Sequence, residues 1–476
     1  MSRPCALPHY TGGLSRAWLI IPLLLLYLLH LGEVGFLGPD EPRYASIGRA
    51  MAVTHDFVTP RLDGQPWFEK PPLLYWMTAA GHLLGLSDEW AARLPVAFLS
   101  VAFLAFFFNR IASEFSPQVA IYATTILATS AGWLAYSFVA ITDLPMSALL
   151  AAAMLIAMLD TRRGVGYLAG ALLGLSILAK GFVPLVLFAP LFLIARRKRL
   201  TILAGCVVIA APWYLLCAER NGPVFWKDFF WKQHFERFFS PSLQHIQPIW
   251  FYVPILLAGL FPWIPLSGVL FLRKTYADVR VRFLIGWLIY SLVFFSVARN
   301  KLPGYVLPLL PALAIVLGVG LTKTGAFEKW WLAACALMLV ALPVIAAALP
   351  EALLDGVRKA PFVLTPGLPY LAVVPIVWYL AWREKPILAI LVVGMAVLVG
   401  VVNLKRTTFP LMDQEVSVRG FWRANLNQAE HACFEQSVRR EWQYGLNYYA
   451  AHPLPVCGPA EIPKILVDNG RLVIPH

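Results

Sequence analysis

The 476-residue sequence predicts an all-α polytopic membrane protein. Its residues are 59% hydrophobic and only 14% charged, whereas soluble domains carry about 25% charged residues. The apolar residues come in continuous runs, such as Ala148–Met158, and not in the alternating pattern of a membrane-spanning β-barrel. Lipid must therefore be the solvent for most of this apolar surface.

The formal net charge of +13 indicates membrane topology, and we expect no nucleic-acid partner. Lys and Arg in short connections between spans mark the cytoplasmic side. With the N-terminus inside, every such cluster falls on that side. The clusters are Arg110, Arg162 and Arg163, Arg196–Arg199, the group from Arg273 to Arg282, Lys323 and Lys329, and Arg383 and Lys385.

The apolar runs predict about thirteen spans. The first, roughly 16–37, is expected to be retained because it has no small-residue cleavage site and is too long for a signal peptide. An odd number of spans leaves the C-terminal tail outside the cytoplasm. The other spans are roughly 93–111, 117–135, 143–160, 164–181, 182–195, 200–217, 249–272, 282–298, 303–321, 329–349, 367–381 and 386–402.

The first outer loop, 38–92, is dense in charged residues, prolines and aromatics. Such a composition is typical of loops that carry function, although a structured loop without chemistry is the alternative. The apolar stretch from Pro71 to Leu86 is too short to span. It predicts a helix lying in the membrane interface.

The tail, 403–476, changes character and predicts a small α/β domain outside a transmembrane catalytic domain, 1–402. It is polar and ends in short β-like runs. A domain of this size is marginal without a covalent link. Cys433 and Cys457 lie in it, on the side where disulfides persist. We therefore predict that they pair, with two unrelated thiols as the alternative.

Three outer-side positions carry candidate chemistry. Asp143 opens a span, and it either caps a helix or faces a cavity beside Asp40. Lys180 ends a span, and it either snorkels to headgroups or joins Lys70, Lys301 and Arg237 as cations for a phospholipid-like anion. His234 and Arg237 share a helical face in an aromatic run. We expect the aromatic rings to anchor at the membrane interface and these two residues to point inward.

Six motifs in order carry a family resemblance. They are Gly38–Ala45 (GPDEPRYA), Glu69–Trp76 (EKPPLLYW), Thr142–Asp143 (TD), Leu178–Gly181 (LAKG), His234–Arg237 (HFER) and Lys301–Pro308 (KLPGYVLP). Together they resemble the bacterial GT-C glycosyltransferases that use polyprenyl-phosphate sugars. Among these, they are similar to the lipid A 4-amino-4-deoxy-L-arabinose transferases and to bacterial relatives of the protein O-mannosyltransferases.

The resemblance implies a role for each matching residue. Asp40 and Asp143 would be the catalytic carboxylates, and Glu69 and His234 would hold a divalent, zinc-like metal. The lipid phosphate would be bound by Lys70, Lys180, Arg237 and Tyr305. Further substrate contacts are expected from the same motifs, at Glu41, Arg43, Tyr44, Tyr75 and Lys301.

The chemistry agrees with this resemblance. A sugar on a lipid phosphate already has a good leaving group, so transfer needs an orienting or deprotonating carboxylate and cations for the departing phosphate. We expect an inverting transfer to lipid A or another envelope glycan, at the periplasmic face of a bacterial inner membrane, by a monomer. A transporter or flippase is the alternative, but it would carry ionisable residues near the midplane on inverted repeats.

Overall fold

The computed structural model describes residues 17–159, 162, 164–236, 247–458, 463–468 and 470–475, and the described chain is mainly helical. The helices of the first half are α1 (Ala17–Leu28), α2 (Asp40–Thr54), α3 (Leu73–Leu83), α4 (Asp88–Glu114), α5 (Pro117–Thr129), α6 (Ala131–Ser137), α7 (Asp143–Leu159), α8 (Val165–Lys180), α9 (Val183–Ile194) and α10 (Arg199–Phe225). A π-helical segment, Trp226–Glu236, follows α10.

The second half of the chain continues with shorter and more often interrupted helices. They are α11 (Tyr252–Leu260), α12 (Val279–Val297), α13 (Leu309–Leu321), α14 (Glu328–Met338), α15 (Ala341–Leu354), α16 (Val373–Trp382), α17 (Pro386–Glu415), α18 (Val418–Ala424), α19 (Leu426–Ala429) and α20 (Arg440–Ala450). Short 3₁₀ helices cover Arg196–Lys198, Ile264–Phe271, Arg273–Ala277, Pro303–Val306, Gly325–Phe327 and Thr365–Ala372.

Many of these helices suit a bilayer. Within the described ranges, six helices are long and apolar enough to cross a membrane, or up to eight if each of two bent pairs forms one span. The bent pairs are α5 with α6, at 59°, and α11 with the 3₁₀ helix Ile264–Phe271, at 114°. Four shorter apolar helices accompany them: α7, α8, α9 and α13. The prediction of a helical, multi-span membrane protein is confirmed.

Close packing of α7, α8 and α10 builds the part of the bundle that carries the site. Gly170 of α8 lies so close to the Ile202 carbonyl of α10 that a side chain at this position would overlap it. Small residues allow this approach of helix backbones, because without a Cβ two helices can come into direct contact. The packing fixes where α8 ends relative to the start of α7.

The first outer loop is folded against the bundle. It contains α2, a two-stranded antiparallel hairpin of Arg61–Leu62 (β1) and Gln65–Pro66 (β2), and α3. Asp63 and Gly64 form the hairpin turn with φ values of 51° and 79°, as an Asp-Gly turn allows. The helix α3, eleven residues long, falls within the stretch predicted to lie in the interface.

The tail contains a small sheet as well as helices. Its strands are β3 (Cys433–Phe434), β4 (Lys464–Asp468) and β5 (Arg471–Val473), in the order β3-β4-β5. β3 pairs with β4 in parallel, and β4 pairs with β5 antiparallel, with Leu466 opposite Val473. Helix α17 runs on to Glu415, so the domain boundary predicted at 402/403 falls inside a helix.

A disulfide links two segments of the tail, and hydrogen bonds connect the tail to the first loop. Cys433 and Cys457 are joined by a disulfide that closes a separation of 24 residues. Hydroxyls of α20 reach the start of α4, where Tyr448 donates to Asp88 and Tyr449 donates to Glu89, both over 2.7 Å. The tail therefore packs on the same side of the bundle as the motif-bearing loop.

Candidate active site

The start of α7 and the end of α8 bring Asp143 and Lys180 together. Asp143 is the first residue of α7, where the helix dipole favours a carboxylate, and Lys180 is the last residue of α8, where it favours a cation. The Lys180 ammonium donates to the Asp143 carboxylate. Gly181 follows with φ of 87°, a conformation that ends the helix without strain. This ion pair is the fixed centre of the site.

The first loop contributes a second group of charges. The Arg43 guanidinium pairs with Asp40 and lies 3.0 Å from the Glu69 carboxylate. The Lys70 ammonium lies 3.0 Å from the other oxygen of Glu69. Two of these side chains come from α2 and two from the segment before α3, so the packing of α2 on α3 positions them.

Both groups of charges face one cavity. It has a volume of about 140 Å³. Its lining residues are Asp40, Tyr44, Glu69, Lys70, Thr142, Asp143, Met146, Lys180, Val183, Gln233, Phe294, Phe295, Ala298, Asn300, Leu302 and Tyr305. Seven positions predicted from the motifs are thus brought together from five separate stretches of the chain.

The exposures of the carboxylates differ. The Asp40 side chain is 46% exposed, whereas those of Asp143 and Glu69 are 14% and 12% exposed. Asp143 is paired with Lys180, and Glu69 is paired with Arg43 and Lys70. Asp40 is therefore the most accessible carboxylate of the three and the best placed to receive a proton from an incoming substrate.

The local field keeps the supporting groups in one protonation state. Burial alone would lower the pKa of Arg43, but the Glu69 carboxylate, with Asp40, raises it above its ordinary value. Burial raises the pKa of Tyr44 well above its ordinary value, and the neighbouring Glu69 and Asp40 carboxylates raise it further. Arg43 thus stays a cation and Tyr44 a neutral phenol at working pH.

Glu41 does not reach the cavity, which corrects its predicted substrate contact. It is fully buried, and its two oxygens accept from Arg93 of α4 over 2.7 and 2.8 Å. The backbone amides of Leu37 and Ala140 donate to the same carboxylate. A buried carboxylate satisfied by four donors is structural, because no capacity remains for a ligand. The sequence pattern could not distinguish it from Asp40, its neighbour.

Arg43, Tyr75 and Lys301 also lie outside the cavity lining. Arg43 acts from behind it by holding Asp40 and Glu69. Tyr75 is fully buried, with its ring 5.8 Å from that of Tyr44. The Lys301 ammonium donates to the Gln247 and Ala298 carbonyls over 3.1 and 2.6 Å. These three residues support the wall and do not form it.

The HFER motif is only partly described. His234 lies in the π-helical segment Trp226–Glu236, but its side chain is outside the described part of the chain. Arg237, predicted to bind phosphate, lies outside the described residues altogether. Gln233, one residue before His234, lines the cavity, so this segment reaches the site.

Sequence reasoning missed several lining residues and one structural cation. Thr142, Met146, Gln233, Asn300 and the pair Phe294–Phe295 all line the cavity. Thr142 belongs to the TD motif and Asn300 directly precedes the KLPGYVLP motif, which is a signal that could have found them. Arg93 is fully buried near the start of a spanning helix, and a charge at such a position is itself informative.

The metal site predicted at Glu69 and His234 stays a prediction, because the His234 side chain lies outside the described part of the chain. No group of three or more His, Cys, Asp or Glu that could hold an ion occurs within the described ranges. Each oxygen of Glu69 already faces a cation, Arg43 or Lys70. A zinc ion normally takes at least three protein ligands. We therefore derive no step through a metal.

Comparisons with known proteins bear on this arrangement. Residues 69–218 match the family model described as dolichyl-phosphate-mannose-protein mannosyltransferase. An undecaprenyl phosphate-alpha-4-amino-4-deoxy-L-arabinose arabinosyl transferase from Yersinia enterocolitica is 34% identical over 331 residues, which is 64% of this chain and 59% of that protein. One from Pseudomonas fluorescens is 34% identical over 347 residues, with coverages of 66% and 62%. The chain thus spans about three-fifths of the length of these relatives.

The fold has a close counterpart among solved structures. ArnT from Cupriavidus metallidurans in the apo state superposes with a TM-score of 0.75 at 25% identity, over 93% of this chain and 86% of that one. The structure of the same protein bound to undecaprenyl phosphate gives a TM-score of 0.74 at 24% identity, with coverages of 94% and 87%. The resemblance drawn from the motifs is confirmed: the chain has the GT-C fold and is similar in sequence to undecaprenyl phosphate-aminoarabinose transferases.

Proposed function

We propose that the chain is an inverting glycosyltransferase that moves a sugar from an undecaprenyl phosphate carrier to lipid A or a related envelope glycan. One observation carries the proposal: an accessible carboxylate, Asp40, and the cations Lys70 and Lys180 face the same cavity. The relatives' named donor, undecaprenyl phosphate-aminoarabinose, supports a pentose as the transferred group.

The reaction needs a base for the acceptor. A hydroxyl or phosphate oxygen of the acceptor attacks the anomeric carbon of the sugar, and the bond from that carbon to the carrier phosphate breaks. The electrons of that bond leave with undecaprenyl phosphate. Any proton on the acceptor oxygen passes to Asp40, whose carboxylate is the most exposed of the cavity carboxylates. A positioned base of this kind typically contributes 10²–10⁴-fold to rate.

The cations stabilise the departing phosphate. Lys70 and Lys180 line the cavity, and the Lys180 ammonium lies 4.8 Å from the centre of the Tyr305 ring. A phosphate that enters would accept hydrogen bonds from both ammonium groups, and Asp143 would hold Lys180 in place. Charge-assisted hydrogen bonds of this kind are worth roughly 1.5–3 kcal/mol each. Arg237 is proposed as a further phosphate ligand on the strength of its motif.

The placement of the site supports a lipid carrier. The proposed topology counts the six long helices, the two bent pairs, the four shorter apolar helices and α1 as thirteen spans. In that topology the cavity opens toward the periplasm of a bacterial inner membrane, where nucleotide sugars are absent. The protein is proposed to act there as a monomer, with the domain after α17 covering the first loop.

Reconstitution tests this proposal. The purified protein in proteoliposomes is given undecaprenyl phosphate-aminoarabinose and lipid A, and the products are followed by mass spectrometry. The proposal predicts lipid A heavier by one aminopentose and an equal amount of free undecaprenyl phosphate. Release of undecaprenyl phosphate without modified lipid A would contradict the assignment of lipid A as the acceptor. No turnover of any polyprenyl-phosphate sugar would contradict the reaction.

A further inference from the structure

A second cavity lies at the opposite end of α13 from the active site. It has a volume of about 740 Å³. Tyr305 of the active site precedes α13, and Lys323 of the second cavity follows it. Thirteen helical residues separate the two ends by about 20 Å. The lining residues are Phe271, Leu272, Arg273, Lys274, Lys323, Thr324, Phe327, Trp330, Trp331 and Ala334.

The charges of this cavity are of one sign. Arg273, Lys274 and Lys323 are exposed, and the described residues that line the cavity include no carboxylate. The neighbouring acids are already engaged: Asp278 pairs with Arg280 over 2.6 Å, and Glu328 accepts from Tyr122 over 2.6 Å. Within the part of the chain that the structure describes, none of the three cations pairs with an acid. Their charge is therefore available to a ligand.

Aromatic side chains surround these cations. Phe271, Phe327 and Trp330 are 88%, 69% and 58% exposed, and Trp331 forms the inner wall. Trp331 packs directly over Gly268, where any side chain would overlap its ring. Aromatic rings at the ends of spans sit at headgroup level. The cavity thus combines an apolar wall for a lipid chain with three cations at the level of its headgroup.

We propose that this cavity binds the headgroup of an anionic phospholipid from the leaflet opposite the active site. Basic pockets between spanning helices at the cytoplasmic side suit such headgroups. A soluble anion would use the cations but would leave the exposed rings uncovered, so the aromatic lining favours a lipid. Arg196 and Arg197 supply similar charge elsewhere but do not line the cavity. The general positive charge of this face therefore does not explain why three cations line one cavity.

The test compares two charge-matched double variants by native mass spectrometry. Wild type, Arg273→Gln/Lys274→Gln and Arg196→Gln/Arg197→Gln are released from nanodiscs containing equal phosphatidylglycerol and phosphatidylcholine. Wild type should retain phosphatidylglycerol. Because Arg273 and Lys274 would both contact the bound headgroup, the cavity variant should retain it roughly thirty-fold less strongly. The Arg196/Arg197 variant should behave as wild type.

A second variant separates the cavity from charge alone. Ala334→Phe keeps all three cations and fills part of the space, so it should also lose retained lipid. A melting temperature measured in detergent without added lipid checks that each variant is folded.

Several outcomes would overturn the proposal. These are equal losses in the two charge variants, full retention by Arg273→Gln/Lys274→Gln, or full retention by Ala334→Phe. Displacement of the lipid by millimolar inorganic phosphate would make this a soluble-anion site. Preference for undecaprenyl phosphate over phosphatidylglycerol would assign it to the carrier lipid.

Discussion

The guanidinium of Arg43 lies 3.0 Å from the carboxylate of Glu69. The same guanidinium pairs with Asp40, so one buried cation holds an accessible carboxylate against a buried one. Tyr444 of the tail faces this cation too, with its ring centre 5.4 Å from the Arg43 guanidinium carbon. The first loop and the C-terminal domain therefore both contact the cation that supports the cavity wall.

Arg43 does not line the cavity, but Arg43→Gln should nevertheless inactivate the enzyme. Loss of the cation leaves Asp40 and Glu69 without this partner, although Lys70 still faces Glu69, and breaking a buried pair costs about 3–5 kcal/mol. We expect transfer to fall by at least two decades and the melting temperature to fall as well. Arg61→Gln in the same loop is the control, since among the described residues Arg61 donates only to the Gly64 carbonyl. Normal transfer by Arg43→Gln would contradict the bridging role.

Gly304→Ala should disturb Asp143 directly. A Cβ at Gly304 would overlap the Asp143 carboxylate and lie 2.8 Å from the Tyr136 hydroxyl. Because Asp143 holds Lys180, we expect kcat to fall about ten- to hundred-fold with little change in protein level. Gly286→Ala is the matched control, because a Cβ there meets nothing within 4 Å. Equal kinetics for the two variants would show that the packing at Gly304 is not needed.

Removal of the disulfide should destabilise the tail. In the chain-entropy model, closure of a loop of about 24 residues stabilises a domain by roughly 3 kcal/mol. Cys457→Ser should lower the melting temperature by several degrees, and Cys433→Ser/Cys457→Ser should lower it no further. Peptide mapping of unreduced wild type should recover the linked pair. Free alkylation of both thiols in that sample would contradict the pairing.

Metal removal tests the assignment of Glu69. Since Arg43 and Lys70 occupy both of its oxygens, we expect full transfer after exhaustive chelation and no gain on adding zinc. Metal content by mass spectrometry is the control for complete removal. Loss of transfer on chelation with recovery on adding zinc would contradict this expectation and show that transfer requires zinc.

The apolar pattern predicted most of the bundle, because the length and composition of a span depend only on the local sequence. The predicted 143–160 and 164–181, for example, correspond to Asp143–Leu159 and Val165–Lys180. Which residues of a motif face the cavity and which are buried in a structural role could not be predicted. Asp40 and Glu41 are adjacent in the sequence, yet one is 46% exposed and the other is fully buried against Arg93. Only the packing of α4 against the loop determines which of the two carboxylates is exposed and which is buried.

Transfer is proposed to depend on Asp40, which accepts the acceptor's proton or orients the acceptor. The most direct test is single-turnover transfer from a preloaded undecaprenyl phosphate-aminoarabinose donor by Asp40→Asn. Asp63→Asn is the control, because Asp63 lies in the same loop at a φ of 51°, which asparagine tolerates. Asp40→Asn should slow the chemical step 10²–10⁴-fold and leave donor binding unchanged. Asp63→Asn should react at the normal rate. A near-normal rate for Asp40→Asn would contradict the proposed role of Asp40.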